Sequence, residues 1–232
     1  MDQRLNLDAN RAKKELTLSS ETKNLEVTHD NDSVDFVELL GRSHFSFFFF
    51  FSSPKELIHT AKENHYQGLA LCDLNGFYGI VRAHEAAHSP SHFDSGRLKE
   101  PLRFFQYIVG TELTLYDASP VILLPMSHDG YTKLSVFITK AKKNSPKGTI
   151  KISLHDVIES SDDCILVPLP PWNTAHLKLY KNAFKDRVYL PVWRDFTWES
   201  LEFCKHAFEI ENSLGIELIA TNRPFFHSKD RK

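Results

Sequence analysis

The chain has 232 residues, 41% of them hydrophobic, and a formal charge of −2 at neutral pH with its histidines uncharged. That length and apolar content suit one domain with one sizeable core, and the charge argues against a strongly electrostatic nucleic-acid binder, which carries a basic excess. Cys72, Cys164 and Cys204 lie far apart with no Cys-x-x-Cys pair, which argues against a disulfide framework or a thiolate zinc site and points to a reduced, cytoplasmic setting.

The first residues, Met1-Asp2-Gln3-Arg4-Leu5, are polar and do not form a signal peptide. Residues 1–34 are charged and read as a poorly ordered polar arm. From there short apolar runs alternate with amphipathic segments. The pattern predicts strands at Asp35–Leu40, Gly68–Cys72, Phe104–Val109, Val121–Leu124, Cys164–Val167, Val188–Val192 and Glu217–Ala220. Helices are predicted at Pro54–Asn64, Gly79–Ala87, Tyr131–Lys142, Leu154–Glu159, Thr174–Lys181 and Trp198–Leu214. Ser53-Pro54-Lys55-Glu56 supplies a capping serine, a proline at the first helical position and an acid in the first turn. Thr197 caps the last helix in the same way, and Gly215 ends it just before a strand. Such alternation implies an α/β fold of parallel strands with crossover helices, either a (β/α) barrel or a doubly wound sheet. Periodicity does not choose between the two. The longest apolar run, Phe47–Phe51, is far too short to span a bilayer, so no membrane association is expected. Lys140–Lys151 contains five lysines around Pro146-Lys147-Gly148 and reads first as a solvated connection, with nucleic-acid contact a weak second reading.

Several segments carry a family resemblance. Glu38-Leu39-Leu40-Gly41-Arg42-Ser43-His44 leads into Ser53-Pro54, and Leu71-Cys72-Asp73-Leu74-Asn75-Gly76 leads into Gly79–His84. Further on stand Gly110-Thr111-Glu112-Leu113, Asp129-Gly130-Tyr131, Arg187-Val188-Tyr189-Leu190 and Ala220-Thr221-Asn222-Arg223-Pro224-Phe225-Phe226-His227. In this order they resemble the PHP domain (polymerase and histidinol phosphatase) at the N-terminus of bacterial C-family DNA polymerases, the error-prone branch in particular. The resemblance covers nearly everything from Glu38 to Lys232 and implies a distorted seven-stranded (β/α) barrel over residues 35–232.

Active members of that family hold up to three divalent ions through His, Asp, Glu and sometimes Cys side chains at the C-terminal ends of the strands, and those ions activate water for attack on a phosphate ester. On the matching positions of this chain, Leu40, Arg42 and Leu74 replace three histidines. Phe49 falls where an acid is expected, Asp195 takes the place of a histidine, and Arg223 and Phe225 replace the closing Asp and His. Glu112 is the one clear survivor, with Asp195 a second carboxylate. One or two carboxylates do not hold a multi-metal cluster, and two arginines bring fixed positive charge to it. The resemblance therefore implies a vestigial pocket with no metal, no cofactor and no catalytic residue, plugged by Arg42, Arg223 and Glu112, since a buried carboxylate without metal needs a partner. His44 and His227, the histidines a rearranged site would use, read first as surface or supporting residues.

Five consecutive phenylalanines, Phe47, Phe48, Phe49, Phe50 and Phe51, cannot all face inward from a loop or strand. Some rings are expected to fill the barrel mouth and others to offer a partner an apolar surface. No phosphate-binding glycine loop and no nucleophile elbow is present. The expectation is a degenerate, stand-alone PHP-type module that scaffolds or stabilises a polymerase core, or another replication or repair protein, with direct nucleic-acid contact weak at most. The alternative is a metal-dependent phosphoesterase or exonuclease with a remodelled site.

Overall fold

The computed structural model describes residues 36–46, 52–89, 105–194 and 197–224, all within the compact unit Asp35–Lys232. In chain order it runs β1 (Val37–Gly41), α1 (Pro54–Glu63), β2 (Gly68–Leu74), α2 (Ile80–His88), β3 (Gln106–Leu113), β4 (Val121–Pro125), α3 (His128–Lys143) and α4 (Leu154–Ser160). It continues through β5 (Cys164–Pro168), α5 (Thr174–Phe184), a 3-10 turn at Lys185–Arg187, β6 (Tyr189–Val192), α6 (Trp198–Leu214) and β7 (Glu217–Ala220). The helix starts have local causes. At α1 the Glu56 N–H donates to Ser53 Oγ at 3.2 Å while the Ser53 N–H donates to Glu56 Oε2 at 2.7 Å, a reciprocal capping box ahead of Pro54. Thr197 Oγ1 accepts the Ser200 N–H at 3.2 Å to start α6, and Gly215, at φ 63°, ends it in the left-handed conformation that favours glycine.

β1 to β5 form one sheet in that order, and β6 pairs with β7 in a second. A single parallel bridge, Leu166–Val188, joins β5 to β6. β1, β2 and β3 are parallel, as are β6 and β7, but β4 runs antiparallel to both β3 and β5. This corrects the expectation of parallel strands throughout. Only the short, helix-free stretch Thr114–Pro120 connects β3 to β4, and a parallel crossover needs a dozen or more residues. Between β4 and β5 the chain passes through two helices instead of one, which returns it to the end of the sheet that it left.

Both faces of the sheet are buried, and the strands sort alternate residues between two apolar layers. Leu69 and Leu71 of β2 pack against Leu57, Ile58 and Ala61 of α1 and Ala83 and Ala86 of α2. Ala70 and Cys72 point the other way, into an inner cluster with Leu40, Ile122, Leu124 and Val167 that also receives Ile219 of β7. Each fully buried leucine or isoleucine contributes about 1.5–3 kcal/mol. The inner layer leaves no room at Gly110, where a Cβ would stand 2.5 Å from Cys72 Sγ and 2.6 Å from Leu124 Cδ2. Gly110→Ala should lower stability by about 1–3 kcal/mol through overpacking, read as a fall in the denaturation midpoint; an unshifted midpoint would mean that this layer is looser than the contacts imply. Among the described residues no helix is long and apolar enough to cross a membrane.

Candidate functional site

The parallel strands β1, β2 and β3 end together, and polar side chains gather at and just beyond their ends. Leu74 stands opposite Glu112 in the β2–β3 register, and Asp73 opposite Thr111. The left-handed residue Asn75, at φ 55°, turns the chain out of β2. Its N–H donates to the Glu112 carbonyl at 2.6 Å, and its side-chain oxygen accepts the Thr114 N–H at 3.0 Å. Asn is among the few non-glycine residues that tolerate this conformation.

Arg42, just beyond β1, forms an ion pair through Nη2 with Glu112 Oε2, the two side chains being 11% and 6% exposed. A pair this dry is sustained only by mutual compensation, since either charge alone would be costly there. Burial, and after it the charge of Arg223, push the Arg42 guanidinium down to about 10, so it remains positive at neutral pH. Burial also lowers Arg223, whose guanidinium lies over the Trp193 ring at 5.0 Å and whose backbone sits at φ 44°. Arg42 is thus paired with Glu112 and also feels the charge of Arg223. Leu40 is buried in the inner apolar layer, and Leu74 is half-buried, its N–H donating to Ser46 Oγ at 3.0 Å. Phe49, Asp195 and Phe225, and with them the whole run Phe47–Phe51 and His227, lie outside the described residues. His44 donates its backbone N–H to the Ser52 carbonyl at 2.9 Å, and its Nδ1 faces the same oxygen at 3.3 Å.

Two buried carboxylates beside this group were not singled out from the sequence. Asp73 accepts the Ser43 N–H at 2.9 Å, the Ser43 hydroxyl at 2.8 Å and the Ser46 hydroxyl at 3.0 Å on Oδ1, and the Gly79 N–H at 3.0 Å on Oδ2. It thereby pins the turn after β1 to the start of α2. Glu38, within β1, accepts the N–H groups of Leu40 and Asn222, each at 2.8 Å, and the Thr221 hydroxyl. It ties β1 to the chain leaving β7. The available signal was an acid set inside an apolar strand, which is costly unless it is fully hydrogen-bonded. Among the described residues no group of three or more His, Cys, Asp or Glu side chains could share a metal ion. What stands at the strand ends is a guanidinium–carboxylate pair, which neutralises the carboxylate internally.

The model of the PHP domain family matches residues 40–220. The chain is 46% identical over 198 residues to the error-prone DNA polymerase of Bdellovibrio bacteriovorus, a match covering 85% of this chain and 18% of that polymerase. It thus spans under a fifth of the length of that relative. Among solved structures, an amidohydrolase from Chromobacterium violaceum superposes with a TM-score of 0.55 at 10% identity, over 84% of this chain and 89% of that one. A lesion-specific endonuclease from Pyrococcus furiosus superposes with a TM-score of 0.52 at 14% identity, over 84% of this chain and 49% of that one. At such identities these two likenesses concern the fold alone. Because that family model matches residues 40–220, well over half of the chain, the chain belongs to the PHP domain family.

Proposed function

We propose that this chain is a non-catalytic PHP module that scaffolds or stabilises a DNA polymerase of the error-prone type in cytoplasmic DNA repair or replication. The Arg42–Glu112 ion pair carries the reading. It puts a fixed positive charge against the one carboxylate that the resemblance retains from the metal site, so the position that a divalent cation would neutralise is already neutralised by protein. Leu40 and Leu74 supply hydrocarbon where imidazoles would be needed, and hydrocarbon gives no ligand. The likeness to a polymerase supports the setting and the kind of partner. In the same reading the two sheets are parts of one distorted seven-stranded barrel. Supporting this are the Leu166–Val188 bridge on one side and the hydrogen bonds from Thr221 and Asn222 to Glu38 on the other.

Phe47–Phe51 is the proposed partner contact. The backbone hydrogen bond from His44 to Ser52 holds together the described residues that flank it. Rings that meet a partner should, when changed to serine, abolish co-purification with the polymerase while leaving the melting temperature nearly unchanged.

Metal content tests the central claim. After dialysis against a chelator the chain should keep no stoichiometric zinc, manganese or iron, and it should not hydrolyse a phosphodiester when manganese is restored. Two or more ions per chain surviving that dialysis would overturn the reading in favour of a remodelled phosphoesterase.

A further inference from the structure

We propose that His84 and His88 form a two-imidazole site on the exposed face of α2 that binds a borderline divalent transition-metal ion, Cu2+ most tightly and Ni2+ or Zn2+ less so. The two residues are one helical turn apart, the spacing that places side chains on the same face of a helix, and both are exposed to solvent. Their rings are already together, with centroids 4.1 Å apart and planes tilted by 38°.

Two further contacts set the rings for coordination. His88 Nδ1 lies 2.9 Å from the His84 carbonyl oxygen. A carbonyl only accepts, so the proton of the neutral ring sits on Nδ1 and the lone pair is left on Nε2. Imidazoles that ligate metals are held in this way, the second nitrogen donating to a carbonyl or carboxylate. The His84 ring meets the half-buried Tyr107 ring edge-on, with centroids 6.4 Å apart at 65°, which limits its swing. The carbonyl that orients His88 belongs to His84 itself, so one turn of helix backbone sets the His88 ring.

No third His, Cys, Asp or Glu completes a cluster here among the described residues. Two imidazoles without a third described ligand make a weak, reversible site whose other positions water can take. Imidazole nitrogen suits copper, nickel and zinc better than magnesium or calcium, and among divalent first-row ions affinity peaks at copper. The site belongs to the outside of α2 and is independent of the Arg42–Glu112 pair. It does not depend on the scaffolding role.

The test is calorimetric titration of the untagged, chelator-stripped chain with Cu2+ and with Zn2+, read beside His84→Ala, His88→Ala and, as control, His155→Ala on α4. The wild type should show one tightest site per chain, with Cu2+ bound more tightly than Zn2+. Each of the two α2 variants should weaken that site at least tenfold, and the control should leave it unchanged. All three side chains are exposed, so the variants should fold, which a melting curve verifies. With Cu2+ bound, electron paramagnetic resonance should report two equivalent nitrogen donors in the wild type and one in each α2 variant. If the tightest site survives either substitution unweakened, or if the control weakens it equally, the assignment is overturned.

Discussion

Replacing Arg42 with alanine is expected to lower the free energy of unfolding by about 3–5 kcal/mol, because it strands a nearly dry carboxylate without its counter-charge. Glu112 is only 6% exposed at its side chain, so water cannot take over the role of the guanidinium. The measurement is denaturant unfolding, with the slope checked so that a midpoint shift can be read as stability. Arg42→Lys should recover part of the loss, since it restores the charge but not the planar fork. The joint replacement Arg42→Met with Glu112→Leu should recover most of it, because an apolar pair of similar volume avoids two desolvation penalties. A single Arg42→Ala variant within about 0.5 kcal/mol of wild type, the range of ordinary surface changes, would show that the pair does not hold the strand ends together.

The sequence was most informative where one residue determines its own surroundings. Ser53, Pro54 and Glu56 define the start of α1 by local hydrogen bonds, and observed and expected starts coincide at Pro54. α3 begins at His128, three residues earlier than its periodicity suggested, because Ser127 caps it through the Gly130 N–H at 3.1 Å. An apolar stripe does not register that polar first turn. Strand direction was not legible in the periodicity at all, since alternation records which face a residue takes and not which neighbour its strand pairs with. The short stretch between β3 and β4 was the available clue. At the site, the resemblance pointed to Arg42, Glu112 and Arg223 and to a pairing of that carboxylate with arginine, but it did not point to the buried carboxylates Glu38 and Asp73. The tie from Glu38 to Asn222 spans 184 positions, and no local pattern predicts a contact at that separation.

Asp73→Ala should cost about 2–6 kcal/mol, because removing this carboxylate leaves the buried N–H groups of Ser43 and Gly79 without acceptors, at about 1–3 kcal/mol each. Their present distances to it are 2.9 and 3.0 Å. The hydroxyls of Ser43 and Ser46 can turn to other acceptors, so they add less. Asp73→Asn should fall between wild type and alanine, since the amide retains one accepting oxygen and turns a donor toward groups that also donate. Ser46→Ala should cost less again, although it also removes the acceptor of the Leu74 N–H. Hydrogen exchange locates the effect: the amides of Ser43 and Gly79 should lose protection in Asp73→Ala while those of β4 and β5 change only with global stability. The same residue separates two explanations for a buried acid at this position. If protein donors alone hold Asp73, adding a chelator to the wild type should leave its melting temperature unchanged. A chelator-induced fall, abolished in Asp73→Asn, would instead assign the carboxylate to a bound ion and return the pocket to metal chemistry.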